Sequence, residues 1–179
     1  MGLRGFEEMS ASITIPSGIV EKAKKLGIDL RSLAVEAILK ELRLDPNEEA
    51  EIRLELAEKS LEEAKDYVKK KDLVQASEKL YKAVEECLKI LGQLHKLPQY
   101  EKAKTEGRWW TQLLGKSARK LSKILKEPRI KQTWAIAYEI HTWGFHEAKY
   151  SIEDIEDDVK YVEWIVEYTK KAVQKLSEK

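Results

Sequence analysis

Apolar residues recur at alternating steps of three and four along most of this chain, and that spacing constrains its fold more than any other feature. The clearest run lies near the C-terminus and comprises Ile152, Ile155, Val159, Val162, Val166, Thr169, Val173 and Leu176. Steps of three and four bring side chains to one face of an α-helix, whereas a half-buried strand alternates every second residue. A one-sided apolar seam of this length must be covered by other helices, so the pattern predicts a packed all-α protein.

The segment 45–94 predicts two antiparallel helices joined by a short turn. Residues 45–48, Asp-Pro-Asn-Glu, combine a capping residue, a proline suited to the first helical position and a capping-box glutamate. Three lysines at 69–71 end this helix favourably for its dipole, and Asp72 with Gln75 caps the next one. Because only a few residues separate the two helices, they should pack side by side.

Three more helices complete the prediction for residues 45–179. They run from Trp109 to Leu125, from about Ile130 to Ala148, and from the capping pair Ser151 and Asp154 onward. Residues 99–107 are polar and end in a glycine, so we expect a non-helical excursion there. Long helices joined in this way pack as an antiparallel bundle, which is the expected architecture of residues 45–179.

Residues 1–44 are expected to form a separate strand-helix-helix segment. Side chains from Ser10 to Ile15 alternate between small polar and apolar and stop at a proline, which predicts a short strand. A helix from Ser17 to Lys25 and another capped by Asp29 should follow. A lone strand has no partner within its chain, so it should pair with its copy in a second subunit, which makes a homodimer the expected assembly.

Composition excludes several functional classes. The 33 basic and 32 acidic side chains leave a net charge of only +1, which gives no overall attraction to nucleic acid or membrane. No apolar run is long enough to span a bilayer and the N-terminus lacks a signal-peptide pattern, so we expect a cytoplasmic protein. Cys87 is the only cysteine, which rules out an internal disulfide or a cysteine zinc site and predicts a buried apolar role. Abundant Lys and Glu with a single Asn are typical of thermophiles.

The N-terminal segment resembles a ribbon-helix-helix module. The resemblance rests on Ile13-Thr14-Ile15-Pro16, two short helices, and Gly27-Ile28-Asp29-Leu30 at the turn between them. It implies a two-stranded ribbon from two subunits, whose outward side chains would enter the DNA major groove. Those positions hold Ser12, Thr14 and Ser10, which cannot make bidentate base contacts, and residues 1–44 carry seven basic against six acidic side chains. We therefore expect dimerisation rather than DNA binding, with a DNA-binding autoregulator as an alternative.

Residues 45–179 resemble the archaeal PaREP family, whose bundle belongs with the HEPN (higher eukaryote and prokaryote nucleotide-binding) superfamily. The resemblance rests on Leu44-Asp45-Pro46 with Ala57-Glu58-Lys59, on residues 75–83, Gln-Ala-Ser-Glu-Lys-Leu-Tyr-Lys-Ala, and on Gly144-Phe145-His146-Glu147. It implies a four-helix up-down bundle that dimerises. The superfamily includes RNases, toxins and partners of nucleotidyltransferases.

The resemblance to HEPN RNases is incomplete at the expected catalytic motif. Those enzymes use an Arg followed four to six residues later by a His; His146 occupies the histidine position, but His141 stands where the Arg would fall. On a regular helix the two histidines are about 140° apart and do not share a face, which argues against a metal pair. A metal-independent RNase using His141 and His146 is the alternative to a non-catalytic protein.

The best candidate for a ligand surface combines basic and aromatic residues upstream of that motif. Between 99 and 127 basic side chains outnumber acidic ones by eight to three. The candidate nucleic-acid-binding residues are Lys102, Lys104, Arg108, Trp109, Lys116, Arg119, Lys120 and Lys123. Trp134, Tyr138, His141 and Phe145 form a helical stripe that suits a core or a dimer interface. Without a phosphate loop, nucleophile elbow or metal motif, we expect no cofactor, no metal and a non-catalytic homodimer that binds RNA, a nucleotide or a nucleotidyltransferase-type partner.

Overall fold

The computed structural model describes residues 12–26, 28 and 30–177, and within these residues all regular secondary structure is helical. The α-helices are α1 (Ser17–Lys25), α2 (Leu30–Leu42), α3 (Pro46–Lys69), α4 (Leu73–Leu94), α5 (Pro98–Glu106), α6 (Thr111–Ile124), α7 (Pro128–Ile140), α8 (Ile152–Ile155) and α9 (Val159–Ser177). A π-helical turn, His141–His146, continues α7, and a 3₁₀ turn, Glu156–Asp158, joins α8 to α9. The all-α class predicted from the apolar spacing is confirmed.

Helix α4 is the centre of the molecule. It packs against α3, α6, α7, α9 and the π turn, and most of its side chains between Ala76 and Gln93 are buried. A helix surrounded in this way needs apolar side chains on every face or polar ones that are paired. Leu80, Leu88 and Cys87 supply the apolar contacts, and Cys87 is a fully buried free thiol, as predicted.

The helix starts predicted from the sequence are confirmed by their hydrogen bonds. The Asp45 carboxylate accepts from the backbone N–H of Glu48 at 3.1 Å, and the Glu48 carboxylate accepts from the Asp45 N–H at 3.1 Å, which completes the capping box. The Asp72 carboxylate accepts from the Gln75 N–H at 3.1 Å. The Asp154 carboxylate likewise accepts from Ser151 N at 2.7 Å.

The expected excursion at residues 99–107 is wrong, because this segment forms α5. Pro98 occupies its first position and Gly107 follows its end with φ of 69° in the left-handed region. Proline at the start and a left-handed glycine just past the end are strong helix boundaries, and here they outweigh the polar composition. Ala103 is the buried contact of α5 with the rest of the chain.

The predicted strand is absent from the part of it that the structure describes. Residues 12–16 have no regular secondary structure, and the Ile13 side chain is 72% exposed. Ser10 and Ala11 lie outside the described residues, as do Gly27 and Asp29 of the predicted turn. A strand needs a hydrogen-bonded neighbour, and the residues that the structure describes include no other strand. The two predicted helices are present as α1 and α2, and pairing of the strand with a second subunit stays a prediction.

None of the helices in the described part of the chain is both long enough and apolar enough to cross a membrane.

Candidate functional site

The outer face of α6 carries three lysines without acidic partners among the described residues. Lys116, Lys120 and Lys123 follow each other at steps of four and three and are exposed, while Leu114 and Leu121 pack into the core on the opposite face. No ion pair joins these lysines to any carboxylate of the described residues. Their positive charge is therefore available to an anionic ligand.

An exposed cation and an exposed aromatic ring lie at the N-terminal end of α6. The Arg108 guanidinium carbon is 3.7 Å from the centre of the Trp110 ring, which is a close cation–π stack. The Trp110 indole N–H donates to a Glu106 carboxylate oxygen at 2.8 Å and thereby fixes the ring. Trp110 is 39% exposed, so one part of the indole remains open to solvent.

Trp109, predicted as a binding residue, lies partly inside the core. Its ring centre is 6.4 Å from that of Tyr100, and its Cη2 atom would be 3.7 Å from a Cβ added at Gly92 of α4. The exposed indole at this end of α6 is that of Trp110. The two tryptophans are adjacent, and both precede the first residue of α6. Which of the two rings faces the core is set by tertiary packing and not by helical spacing.

The other predicted binding residues are exposed on α5 and α6. Lys102 approaches Glu106 at 3.7 Å with most of its side chain in solvent, and Lys104 is also exposed. Arg119 donates to the Gly115 carbonyl oxygen at 3.1 Å, one turn earlier on its own helix. The basic side chains thus follow two consecutive helices.

A second group of functional side chains, the histidine cluster, consists of Glu78, Tyr81, His141, Phe145 and His146. The rings of His141 and His146 have centres 4.5 Å apart and are nearly perpendicular at 80°. The expectation that these histidines do not share a face is wrong, because residues 141–146 form a π turn rather than α-helix. A π turn bonds residues five apart, as Glu147 N–H does to the Thr142 carbonyl at 3.0 Å, and so brings positions i and i+5 together.

His141 is held between two aromatic rings and beside a carboxylate. Its ring stacks on Tyr81 of α4, with centres 4.0 Å apart and planes 18° apart, and on Phe145 at 5.1 Å and 12°. The His141 Nδ1 atom is 3.1 Å from a Glu78 carboxylate oxygen. The contact with Glu78 has an ion-pair distance but no hydrogen-bond geometry, since neither atom has a hydrogen-bond partner among the described residues. The ring contacts continue from Tyr81 to Trp134 of the predicted aromatic stripe, with ring centres 5.7 Å apart.

The π turn can approach α4 this closely because residue 144 is a glycine. A Cβ built on Gly144 would overlap Ser77 Oγ and would lie 2.9 Å from Ser77 Cβ. Gly144 is buried, and no larger residue fits without a shift of the backbone. The contact between Gly144 and Ser77 therefore sets where the histidine cluster lies on α4.

Burial shifts the pKa values of two groups in the histidine cluster. Partial burial and the nearby His141 lower the pKa of His146, which favours the neutral imidazole at neutral pH. Burial raises the pKa of the Tyr81 phenol far above its usual range, so that this hydroxyl stays protonated. No three His, Cys, Asp or Glu side chains converge on a possible metal position anywhere among the described residues.

Comparison with known proteins places this site within one family. A model of the archaeal PaREP1/PaREP8 family matches residues 52–166, a span that includes α6 and the whole histidine cluster and leaves out α1 and α2. The crystal structure of a protein from Sulfolobus solfataricus is similar to this chain, with a TM-score of 0.61 and 32% sequence identity. The match covers 65% of this chain and 95% of that one. No curated protein matches the chain.

Proposed function

The chain belongs to the archaeal PaREP1/PaREP8 family, and we propose that within this family it is a non-catalytic, homodimeric helical module that binds single-stranded RNA or a nucleotide. The observation that carries the proposal is the row of exposed lysines on α6, Lys116, Lys120 and Lys123, with the open Trp110 ring at its start. Lysines along a groove or face contact phosphates, and an open indole offers a surface on which a base stacks.

The proposal also assigns a structural role to each part of the chain, residues 45–179 and residues 1–44. We take residues 45–179 as an up-down bundle of the HEPN type and residues 1–44 as the segment that joins two subunits. The apolar side chains left exposed on and just before and after α1 support the second part, since a second copy would cover them. They are Ile13, Ile19 and Leu26, each between 53% and 72% exposed.

Replacing Lys116, Lys120 and Lys123 together with glutamine should weaken binding of a labelled single-stranded RNA. Each lysine that contacts a phosphate adds to the dependence of affinity on salt, so the slope of log K against log salt should become shallower by about 2. Fluorescence anisotropy across a salt series measures both the affinity and the slope. Lys131, Lys171 and Lys175, exposed lysines on α7 and α9, provide a triple glutamine control with the same change of charge.

Equal loss of affinity in the control would show that binding depends on overall charge and not on the α6 face. If the unmodified protein binds neither RNA nor a nucleotide at low salt, the nucleic-acid proposal fails. Of the binding partners considered from the sequence, a protein of the nucleotidyltransferase type would then be the remaining candidate. Duplex DNA in the same series tests the DNA-binding alternative of the N-terminal segment.

One observation favours a second candidate, metal-independent RNA cleavage: the π turn brings the rings of His141 and His146 within 4.5 Å of each other. Neutral His146 would remove the proton from a ribose 2′-hydroxyl, whose oxygen attacks the adjacent phosphorus. Protonated His141 would give a proton to the departing 5′-oxygen. The products would be a 2′,3′-cyclic phosphate and a free 5′-hydroxyl, and Glu78 would orient the His141 ring.

If the second candidate is correct, His146→Ala should reduce RNA cleavage by at least about 100-fold, because general acid–base catalysis contributes about that much or more. Cleavage is measured on a labelled oligonucleotide in the presence of EDTA. His95→Ala is the matched control, since His95 is the exposed residue after the end of α4. Full activity in the double variant of His141 and His146, or no cleavage by the unmodified protein, would leave the non-catalytic module as the function.

A further inference from the structure

Helix α2 is attached to the rest of the chain mainly through polar side chains. Of its residues, all of which the structure describes, Leu39 alone is buried. Leu33, Ile38 and Leu42 are about half exposed. An element with so little buried apolar surface opens more readily than the core helices do.

The charged attachment of α2 to α3 and α4 is the carboxylate of Glu36, and Ser32 of α2 also accepts from Lys82 Nζ at 2.6 Å. Both Glu36 oxygens accept from the Arg53 guanidinium, at 2.9 and 2.8 Å, and one also accepts from Lys89 Nζ at 2.9 Å. Arg53 and Lys89 are 2% and 1% exposed. Burial opposes ionisation of Glu36, but the two cations outweigh it and lower its pKa to about 2.

The cations that hold Glu36 also have partners within α3 and α4. Arg53 contacts Glu49 at 2.9 Å and Glu86 at 3.0 Å, and Lys89 contacts Glu85 at 2.9 Å and Glu86 at 2.7 Å. Lys82 contacts Glu85 at 3.2 Å. We call this group the ion cluster; its members on α3 and α4 are Arg53, Lys82, Lys89, Glu49, Glu85 and Glu86. Three cations there face three carboxylates, so the departure of Glu36 would leave no buried charge without a counter-charge.

A groove between α3 and α4 lies beneath α2 and leads toward the histidine cluster. It encloses about 170 Å³ and is bounded by Ser32 and Val35 of α2, Leu56 and Ser60 of α3, and Gln75 and Glu78 of α4. Glu78 is the residue whose carboxylate lies 3.1 Å from His141. Helix α2 thus covers one side of the path to Glu78.

The connection from α2 to α3 contains a strained residue that can act as a hinge. Arg43 follows α2 with φ of 49°, a left-handed conformation that is unfavourable for a side chain of this size. The family match begins at residue 52, beyond this hinge. Most of α3 and all of α4, which form the floor of the groove, therefore lie within the family match, and α2 does not.

We propose that α2 is a strap that opens away from a helical body that stays folded, with Glu36 as its attachment and Arg43 as its hinge, and that its opening controls access to the groove beside Glu78. The strap is independent of whether the ligand is RNA. Its opening uncovers Ser60, Gln75 and Glu78 together, and closing restores the contacts of Glu36 with Arg53 and Lys89.

Hydrogen exchange on the full-length chain tests the strap directly. Amides of residues 31–42 should exchange at least about tenfold faster than those of residues 80–91 in the unmodified protein. Glu36→Gln should accelerate exchange in α2 by a further factor of about ten or more, since a charged hydrogen-bonded contact is lost, and should leave residues 80–91 unchanged. Glu41→Gln, an exposed α2 carboxylate, is the matched control and should change neither segment.

Access to the groove is measured in the same proteins through a cysteine introduced at position 60. In Ser60→Cys, the rate of labelling of the new thiol by a small reagent should rise about tenfold when Glu36→Gln is added, while Cys87 stays buried and unreactive. Exchange of α2 and α4 at one common rate would overturn the strap, because the two would then open as one unit. A labelling rate at position 60 that is the same with and without Glu36→Gln would overturn control of the groove.

Discussion

Replacing Lys89 with methionine should lower the free energy of unfolding by about 3–5 kcal/mol, because it removes one member of a buried ionic group and leaves its partners in place. The Lys89 side chain is fully buried and its amine contacts Glu36, Glu85 and Glu86 at 2.9, 2.9 and 2.7 Å. Methionine fills a similar volume without charge. The three carboxylates would then face one another in the interior with Arg53 and Lys82 as their remaining cations.

Urea denaturation followed by tryptophan fluorescence at pH 7 measures this loss. Lys170→Met is the control: its amine lies 2.7 Å from a Glu58 carboxylate oxygen, but both side chains are about 40% exposed, so it should lose at most about 1 kcal/mol. A loss below about 1 kcal/mol for Lys89→Met would mean that the cluster rearranges or takes up protons at little cost.

The difference in free energy of unfolding between Lys89→Met and the unmodified protein should become smaller as the pH falls. The pKa of Glu36 drops from 4.5 to about 2 on folding, and the pKa of Glu85 is also lowered, in both cases against the effect of burial. Folded pKa values below the unfolded ones give stability that is complete above about pH 5 and is lost as the pH falls toward 2. Without Lys89 less of this stability exists to be lost.

Gly144→Ala should lower the free energy of unfolding by about 1–3 kcal/mol and displace the π turn from α4. The added methyl would overlap Ser77 Oγ, and rotating that hydroxyl away would still leave Ser77 Cβ only 2.9 Å distant. Because Ser77 is on the central helix, the π turn has to move. The displacement would separate His141 from Tyr81, whose ring centres are now 4.0 Å apart.

A double substitution identifies the clash as the cause. Ser77→Gly alone should lose about 1 kcal/mol, the usual effect of glycine within a helix, but it removes both atoms that collide with the new methyl. Combined with Gly144→Ala it should therefore restore part of the stability, with a coupling of about 1 kcal/mol or more from a double-mutant cycle. Purely additive losses would show that the contact with Ser77 is not the cause of the lost stability. Urea unfolding of the four proteins provides the cycle.

The parts of the fold that depend on local sequence were predictable, and those that depend on tertiary contact were not. Asp45 and Asp72 begin helices because their carboxylates accept from backbone N–H groups three residues on, and Asp154 accepts from the Ser151 N–H, so these patterns are visible in the sequence. The π turn is different, since nothing in residues 141–146 distinguishes it from an α-helix. Its geometry depends on Gly144 meeting Ser77, which is distant in sequence.

The candidate site divides in the same way. The exposure of the α6 lysines follows from helical spacing. The two histidines were identified as a motif, but the short distance between their rings was not predicted. Glu78 and Tyr81 were missed as site residues because they lie on α4, more than fifty residues before the histidines. A signal existed: these polar residues are three apart and therefore share one face of a predicted helix.

The ion cluster was also missed, since Glu85, Glu86 and Lys89 resemble an ordinary solvated face when the sequence is read alone. Only the packing of α3 and α2 over that side of α4 buries them.

The ion cluster also has a consequence for how this protein responds to heat. The free energy needed to remove charged groups from water falls as temperature rises, while the stabilisation from each buried apolar area levels off. A core that contains three cations and their carboxylates is therefore least favourable at low temperature. As the temperature rises, its contribution to the free energy of unfolding increases relative to that of an apolar core of equal volume. Helices α2, α3 and α4 meet at that group of charges, so their mutual attachment should weaken less on heating than that of helices joined by apolar contacts alone.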